Sequence, residues 1–191
     1  MKLRFSINVP NWLDRIFAWP VVRYRQCKFG YTFRKIRLTE GKYTIVDLQD
    51  FYLLNDYDWV TYGKGDCIYA VRHLISADVK EQIVRMHRYI MKAPEELLVD
   101  HKNGDGLDNR RSNLRLATFS QNMQNRRKHK KTSSKFLGVC FDKRNGKWRA
   151  KIKYNGKTIH LGRFDNEEDA ARAYDAAAKK YYGEFARVNF P

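Results

Sequence analysis

The chain has 191 residues, room for one large domain or two small ones, and its 38 Lys and Arg against 21 Asp and Glu leave a formal charge of +17. Such a field attracts polyanions and argues against an ordinary acidic or neutral metabolic enzyme, so nucleic acid is the leading expected partner. With 43% hydrophobic and 14% aromatic residues the chain can still build cores, which excludes wholesale disorder. Cys27, Cys67 and Cys140 are too few and too scattered for a disulfide framework or a zinc knuckle, and are read as reduced. The apolar stretch Trp12–Val22 is broken by Asp14 and Arg15 and is short of a membrane span, so neither export nor insertion is expected and a cytoplasmic location is.

Residues 1–30 are read as an extension of unassigned role: Trp12–Phe17 suits the start of a short helix and Val21–Phe29 an extended segment. Tyr31 to Leu38, a Glu40-Gly41 turn and Tyr43 to Val46 alternate as a hairpin does. Asp47–Trp59 reads as a short helix capped by Asp47, with Phe51, Leu54 and Trp59 turned inward, and Cys67–Leu74 as a strand. Val79–Met91 carries Ile83, Val84, Met86, Ile90 and Met91 at a spacing that predicts a buried helix.

The segment from Val99 to Arg126 is the most informative. It places Asp100 and His101 at a strand end, then a loop rich in Asn, Gly and Asp, then a strand with Leu114, Leu116 and Thr118 in alternation. Thr118 and Gln121 follow as a capping box opening a helix. Neighbours on a strand point to opposite faces, but a terminal position lets Asp100 and His101 serve one site. Asn122 and Asn125, three apart, share one helical face. Phosphodiester hydrolysis needs a base for water, a hard cation for the developing charge and oxygen ligands for that cation; His101 could be the base, and Asp100 and an amide oxygen the ligands.

Asp100-His101, Asn113 twelve residues after the His and Asn122 nine further on resemble the HNH nuclease family and its strand-strand-helix metal motif. The resemblance covers residues 31–127 and is closest over 87–126, with His87-Arg88 ahead of the motif. It implies that His101 is the general base, that Asp100 and Asn122 ligate one divalent metal, Mg²⁺ or Mn²⁺, and that Asn113 braces the loop behind His101. Many members carry His where this chain has Asn122, a weaker ligand than a carboxylate. Arg88, Arg110 and Arg111 are candidate phosphate contacts.

Charge is uneven along the chain. The first hundred residues hold 16 basic and 12 acidic side chains, the remainder 22 and 9. The tract Arg126–Lys135 has six Lys or Arg and no acid; it is read as a linker, with 128–135 between domains, and Arg126 and Arg127 are expected to track phosphates.

Beyond it, Gly138–Phe141, Lys147–Tyr154 and Lys157–Phe164 read as three antiparallel strands, and Asn155-Gly156 is a hairpin turn. The middle strand puts Trp148, Ala150, Ile152 and Tyr154 on one face and Lys147, Arg149, Lys151 and Lys153 on the other. A helix from Asp165-Asn-Glu-Glu168 to Gly183 offers an alanine stripe that should cover the Trp148 face. Gly146-Lys147-Trp148, Leu161-Gly162-Arg163-Phe164, Ala170-Ala171-Arg172-Ala173-Tyr174-Asp175 and the closing Asn189-Phe190-Pro191 resemble the Apetala/ethylene-response-factor DNA-binding domain. That resemblance implies a sheet lying in the DNA major groove, with Lys147, Arg149, Lys151, Lys153, Thr158 and His160 on the DNA side. Leu137 and Cys140 stand where plant members carry base-reading arginines, so the plant recognition sequence does not transfer.

The expected fold is α+β, with an HNH nuclease domain at 31–127 and a three-stranded sheet on one helix at 136–191. The expected function is that of a metal-dependent, homing or mobile-element endonuclease of a bacterial or phage-like kind, acting on double-stranded DNA with no membrane or small-molecule partner. A catalytically lapsed DNA-binding regulator is the alternative. An RNA-binding accessory protein is disfavoured, because Trp148 and Tyr154 fall on the covered face rather than the open one.

Overall fold

The spacing of apolar residues sets most elements of the computed structural model, which describes residues 11–65, 67–76, 79–128 and 132–190. It has two compact units. One holds the chain up to Ala93 with Asp105–Arg115, the other Pro94–Gly104 with the chain from Leu116 on. The division runs through the polar loop. The basic tract lies in the second unit; its residues 129–131, like residues 1–10 of the extension, lie outside the described residues.

The first unit opens on α1 (Asn11–Phe29), one continuous helix with Pro20 inside it. The extended reading of Val21–Phe29 is therefore overturned: the helix tolerates a proline at the cost of a backbone hydrogen bond and runs on until Gly30, whose φ of 76° ends it. β1 (Arg34–Arg37) and β2 (Tyr43–Val46) form the expected antiparallel hairpin, bent through a tight turn at Thr39–Gly41. α2 (Leu48–Asn55) follows and buries Phe51 and Leu54. Trp59 is buried just beyond its end, its indole N–H on the Leu54 carbonyl at 2.8 Å. Asp47 stands at the cap position without capping through its side chain; it accepts the Arg111 N–H at 2.7 Å instead.

A three-stranded antiparallel sheet comes next, β3 (Val60–Lys64), β4 (Cys67–Ser76) and β5 (Val79–Arg85), followed by the short α3 (Met86–Met91). The expected helix over 79–91 is half strand. Val79, Ile83 and Val84 are β-branched, and pairing with β4, His73 opposite Ile83 and Arg72 opposite Val84, outweighs a helical spacing that only the Met86–Met91 end fulfils.

In the second unit, β6 (Leu98–His101) and β7 (Leu114–Ala117), the latter crossing the division between the units, form a two-stranded sheet, and α4 (Phe119–Gln124) packs against β6. The capping box is complete: Thr118 Oγ1 accepts the Gln121 N–H at 3.3 Å, and Gln121 Oε1 accepts the Thr118 N–H at 2.8 Å. The alternation predicted for β7 fails in one respect, since Leu114 and Ala117 are buried and Leu116 is exposed.

β8 (Val139–Asp142), β9 (Lys147–Tyr154) and β10 (Lys157–Phe164) make an antiparallel sheet with β9 in the middle, covered by α5 (Glu167–Tyr182). Val139, Ala150, Ala170 and Ala171 form one buried cluster beneath Trp148 and Phe164; Ile152, Tyr174, Ala177 and Ala178 form the next. Small side chains on α5 bring it close to the sheet, and Gly138 takes the same logic to its limit. Its φ is 72°, and a Cβ there would stand 1.9 Å from the Tyr174 ring, so only glycine fits. The result is mixed α and β with small sheets, as an α+β class requires.

Candidate functional site

Asp100 and His101 end β6, and both are buried, at 6% and 5% exposure. A buried carboxylate must be compensated. Part of the compensation comes from Asn125, the residue that closes α4 and is itself 6% exposed. Its amide nitrogen lies 3.0 Å from each oxygen of Asp100, 2.9 Å from the His101 carbonyl and 3.3 Å from that of Lys102. One amide thus ties the carboxylate and the backbone that carries the histidine to the end of the helix. The loop then turns back, with the Gly104 N–H on the His101 carbonyl at 2.8 Å. Asn122 lies one turn earlier on α4, half-buried.

In the first unit, the other part of the polar loop is pinned to the β1–β2 hairpin. The Asn109 N–H bonds the Ile45 carbonyl and the Ile45 N–H the Leu107 carbonyl, each at 2.9 Å, while Asn109 Nδ2 reaches Thr44 Oγ1 at 2.8 Å. Asn113 is buried and donates its amide to the Asp108 carbonyl at 2.8 Å, bracing the turn across Asp108–Asn113. Arg110 holds the buried Asp108 through two bonds of 2.7 and 2.6 Å and lies 3.6 Å over the Tyr31 ring; Arg111 holds the buried Asp50 at 2.8 and 2.7 Å. Both guanidinium pKa values are raised, chiefly by these carboxylate hydrogen bonds. Arg88 donates to the Ala93 carbonyl at 3.2 Å, past the end of α3.

Among the described residues no three His, Cys, Asp or Glu side chains converge as a closed metal cage. The donors that sequence reasoning offers a metal are one carboxylate, Asp100, and the amide oxygen of Asn122, which sits one turn from Asn125 on α4. So sparse an oxygen set fits a hard cation that retains much of its water and does not fit tight Zn²⁺.

The sheet presents the opposite chemistry. Directly paired residues of antiparallel strands share a face, and the register pairs Lys153 with Thr158, Lys151 with His160 and Arg149 with Arg163. Lys147, Arg149, Lys151, Lys153, Thr158 and His160 therefore lie on one face, with Cys140 and Asp142 from β8 beside them. The row is partly neutralised at one end, where Lys147 pairs with Asp165 at 3.1 Å, while Arg149 keeps its charge and its Nη2 donates to Cys140 Sγ at 3.7 Å. Asp142 stays ionised further into acid than usual, through hydrogen bonds from Asn145 first and then from Arg144 and Arg163. Lys151 and Lys153 are exposed with no ion-pair partner among the described residues. They line a groove of about 600 Å³ with Phe119, Met123 and Arg126 and, from the covered side of the sheet, Ile152, Tyr174 and Tyr182, so the groove runs along the edge of the sheet beside α4. Arg127 is exposed beside it.

Residues 92–124 match the HNH endonuclease family and residues 134–184 the AP2 domain family. An HNH endonuclease of Acanthamoeba polyphaga mimivirus is 32% identical over 156 residues, which is 78% of this chain and 76% of the relative. The chain belongs to the HNH endonuclease family. This family member also carries a DNA-binding AP2 domain, for which the AP2-like ethylene-responsive transcription factor TOE2 of Arabidopsis thaliana is 45% identical over 67 residues, and APETALA2-like protein 2 of Oryza sativa subsp. indica 46% over 65. Those matches span 35% and 34% of the chain but only 14% and 15% of the plant proteins, so the likeness is to one module of each. No solved structure matches. No helix among the described residues of this family member is long and apolar enough to cross a membrane.

Sequence reasoning names Asn125 only as a neighbour of Asn122 on the helix and misses its part. The signal was the three-residue spacing; what hid its use is that its partners lie 23 to 25 residues earlier. Asn109, at 0% exposure, was likewise invisible as the anchor of the loop.

Proposed function

We propose that the chain is a divalent-metal-dependent DNA endonuclease of the homing or mobile-element kind. His101 is its general base: it takes a proton from water as the water oxygen attacks phosphorus, and the bond from phosphorus to the leaving oxygen breaks. Asp100 and Asn122 would hold one Mg²⁺ or Mn²⁺, which supplies charge stabilisation at the phosphate and the departing oxygen. Asn113 braces the loop, and Asn125 keeps Asp100 and the His101 backbone in register. Duplex DNA is gripped by Lys147, Arg149, Lys151, Lys153, Thr158 and His160, with Arg126 and Arg127 tracking the backbone. The nuclease centre and linker take up 31–135, and the binding module 136–191.

The observation that carries this reading is the buried Asp100-His101 pair held by Asn125. A structural corner has no need of a histidine there, and burial holds both groups in one geometry, as acid–base chemistry requires. The test is incubation of supercoiled plasmid with the purified chain and Mg²⁺ or Mn²⁺, beside the same mixture with chelator. Metal-dependent conversion to open circles or linear DNA supports the nuclease; DNA retarded in gels but never cut identifies a binding protein whose nuclease centre has lapsed.

A further inference from the structure

The tail of the binding module is fixed by an uncommon set of contacts. Asp175, buried on α5, accepts the N–H groups of Asn189 and Phe190 at 2.8 and 2.9 Å and the Asn189 amide at 2.9 Å. Asn189 in turn binds both backbone groups of Leu137, at 2.7 and 3.3 Å. The chain just before this latch has little freedom, and it carries Arg187.

Arg187 lies over the nuclease loop. Its Nη1 is 3.5 Å from the Asn125 carbonyl, a long contact, and a Cβ on Gly104 would meet the same Nη1 at 2.6 Å and Nε of Arg127 at 3.1 Å. Two guanidiniums thus flank one point on the backbone three residues after His101, and the absence of a side chain at Gly104 leaves them room. Arg127 has no hydrogen-bond or ion-pair partner among the described residues. Burial first, and Arg127 second, lower the pKa of Arg187, while Asp100 works the other way. Like charges brought together at such a place cost free energy that an anion between them would return, and the planar fork of arginine matches phosphate oxygens in pairs.

We propose that Arg187 and Arg127 form a clamp for a backbone phosphate of the strand lying at the HNH centre, so that the binding module completes the nuclease site with a side chain of its own. The inference rests on the nuclease reading for what the clamped phosphate is used for, and on geometry alone for the clamp.

The test uses the full chain, a short duplex and two readouts. With chelator present, so that nothing is cut, the dependence of log affinity on log salt should lose about one phosphate contact in Arg187→Ala and about one in Arg127→Ala. With Mg²⁺ or Mn²⁺ and saturating DNA, single-turnover cleavage by Arg187→Ala should fall roughly a hundredfold. Arg187→Lys should keep the salt slope and recover only part of the rate, because the charge remains and the fork does not. A wild-type salt slope in Arg187→Ala, with only its melting temperature lowered, would mean that Arg187 is merely a structural counter-charge to Asp100, and the clamp would be wrong. Should Arg187→Ala not fold, the exposed Arg127→Ala carries the same slope test. A wild-type chain that never cuts would undo the nuclease reading, while the salt slopes still decide the clamp.

Discussion

The nuclease centre and the sheet face handle polar groups in opposite ways. At the centre, Asp100, His101 and Asn125 are buried and tied to one another within 3.0 Å; on the sheet, Lys151 and Lys153 stand in water without ion-pair partners among the described residues. Buried, mutually bonded groups are costly to disturb and hold one geometry, whereas exposed cations cost little and release counterions when a polyanion arrives. On the proposed function, one region serves position and the other grip.

Removing Asn125 tests the first half of that contrast most severely. Asn125→Leu leaves the Asp100 carboxylate buried without its amide donor, and should cost about 3 kcal/mol in chemical unfolding as well as most of the cleavage rate. A loss under about 0.5 kcal/mol would show that the centre is looser than its geometry. Next in size is Gly138→Ala, which drives a methyl into the Tyr174 ring at a positive φ; about 2 kcal/mol should be lost, with DNA binding by the remaining folded protein unchanged. The rigid support beneath the face, not the face, is what this change reports.

The exposed cations should behave in reverse. Lys151→Ala with Lys153→Ala should leave stability within about 0.5 kcal/mol of wild type and make the salt dependence of DNA binding shallower by about two contacts. An unchanged slope would make the face merely a solvated one. The smallest effect at neutral pH belongs to Tyr174, whose hydroxyl is pushed up to about 12 by burial. Because the folded value lies above the ordinary 10.0, its contribution is complete below pH 10 and is lost as pH rises towards 12. Tyr174→Phe should remove that part of the alkaline loss of stability.

The same contrast explains what the sequence discloses. The C-terminal sheet is legible because β9 alternates without interruption from Trp148 to Tyr154, and the Thr118–Gln121 box because capping is local. The β5 strand is misread as helix because Ile83, Val84 and Met86 also fit a helical stripe, and only pairing with β4 decides. Continuity of α1 through Pro20 is likewise beyond a local rule. At the centre, the Asp-His pair and its distant asparagines are visible as residue types, yet the three-way use of the Asn125 amide depends on where α4 meets β6. The partial neutralisation of Lys147 by Asp165 belongs to the same class, since the two are 18 residues apart.

On the proposed function, cutting resides in the buried pair and holding in the exposed face. This division is tested most directly by assaying metal-dependent plasmid cleavage and duplex affinity together for wild type and His101→Ala. Loss of cleavage by about a thousandfold or more, with affinity kept within a few-fold, is the expected result. Undiminished cutting by His101→Ala would contradict the division, as would affinity that fell in step with the lost cleavage.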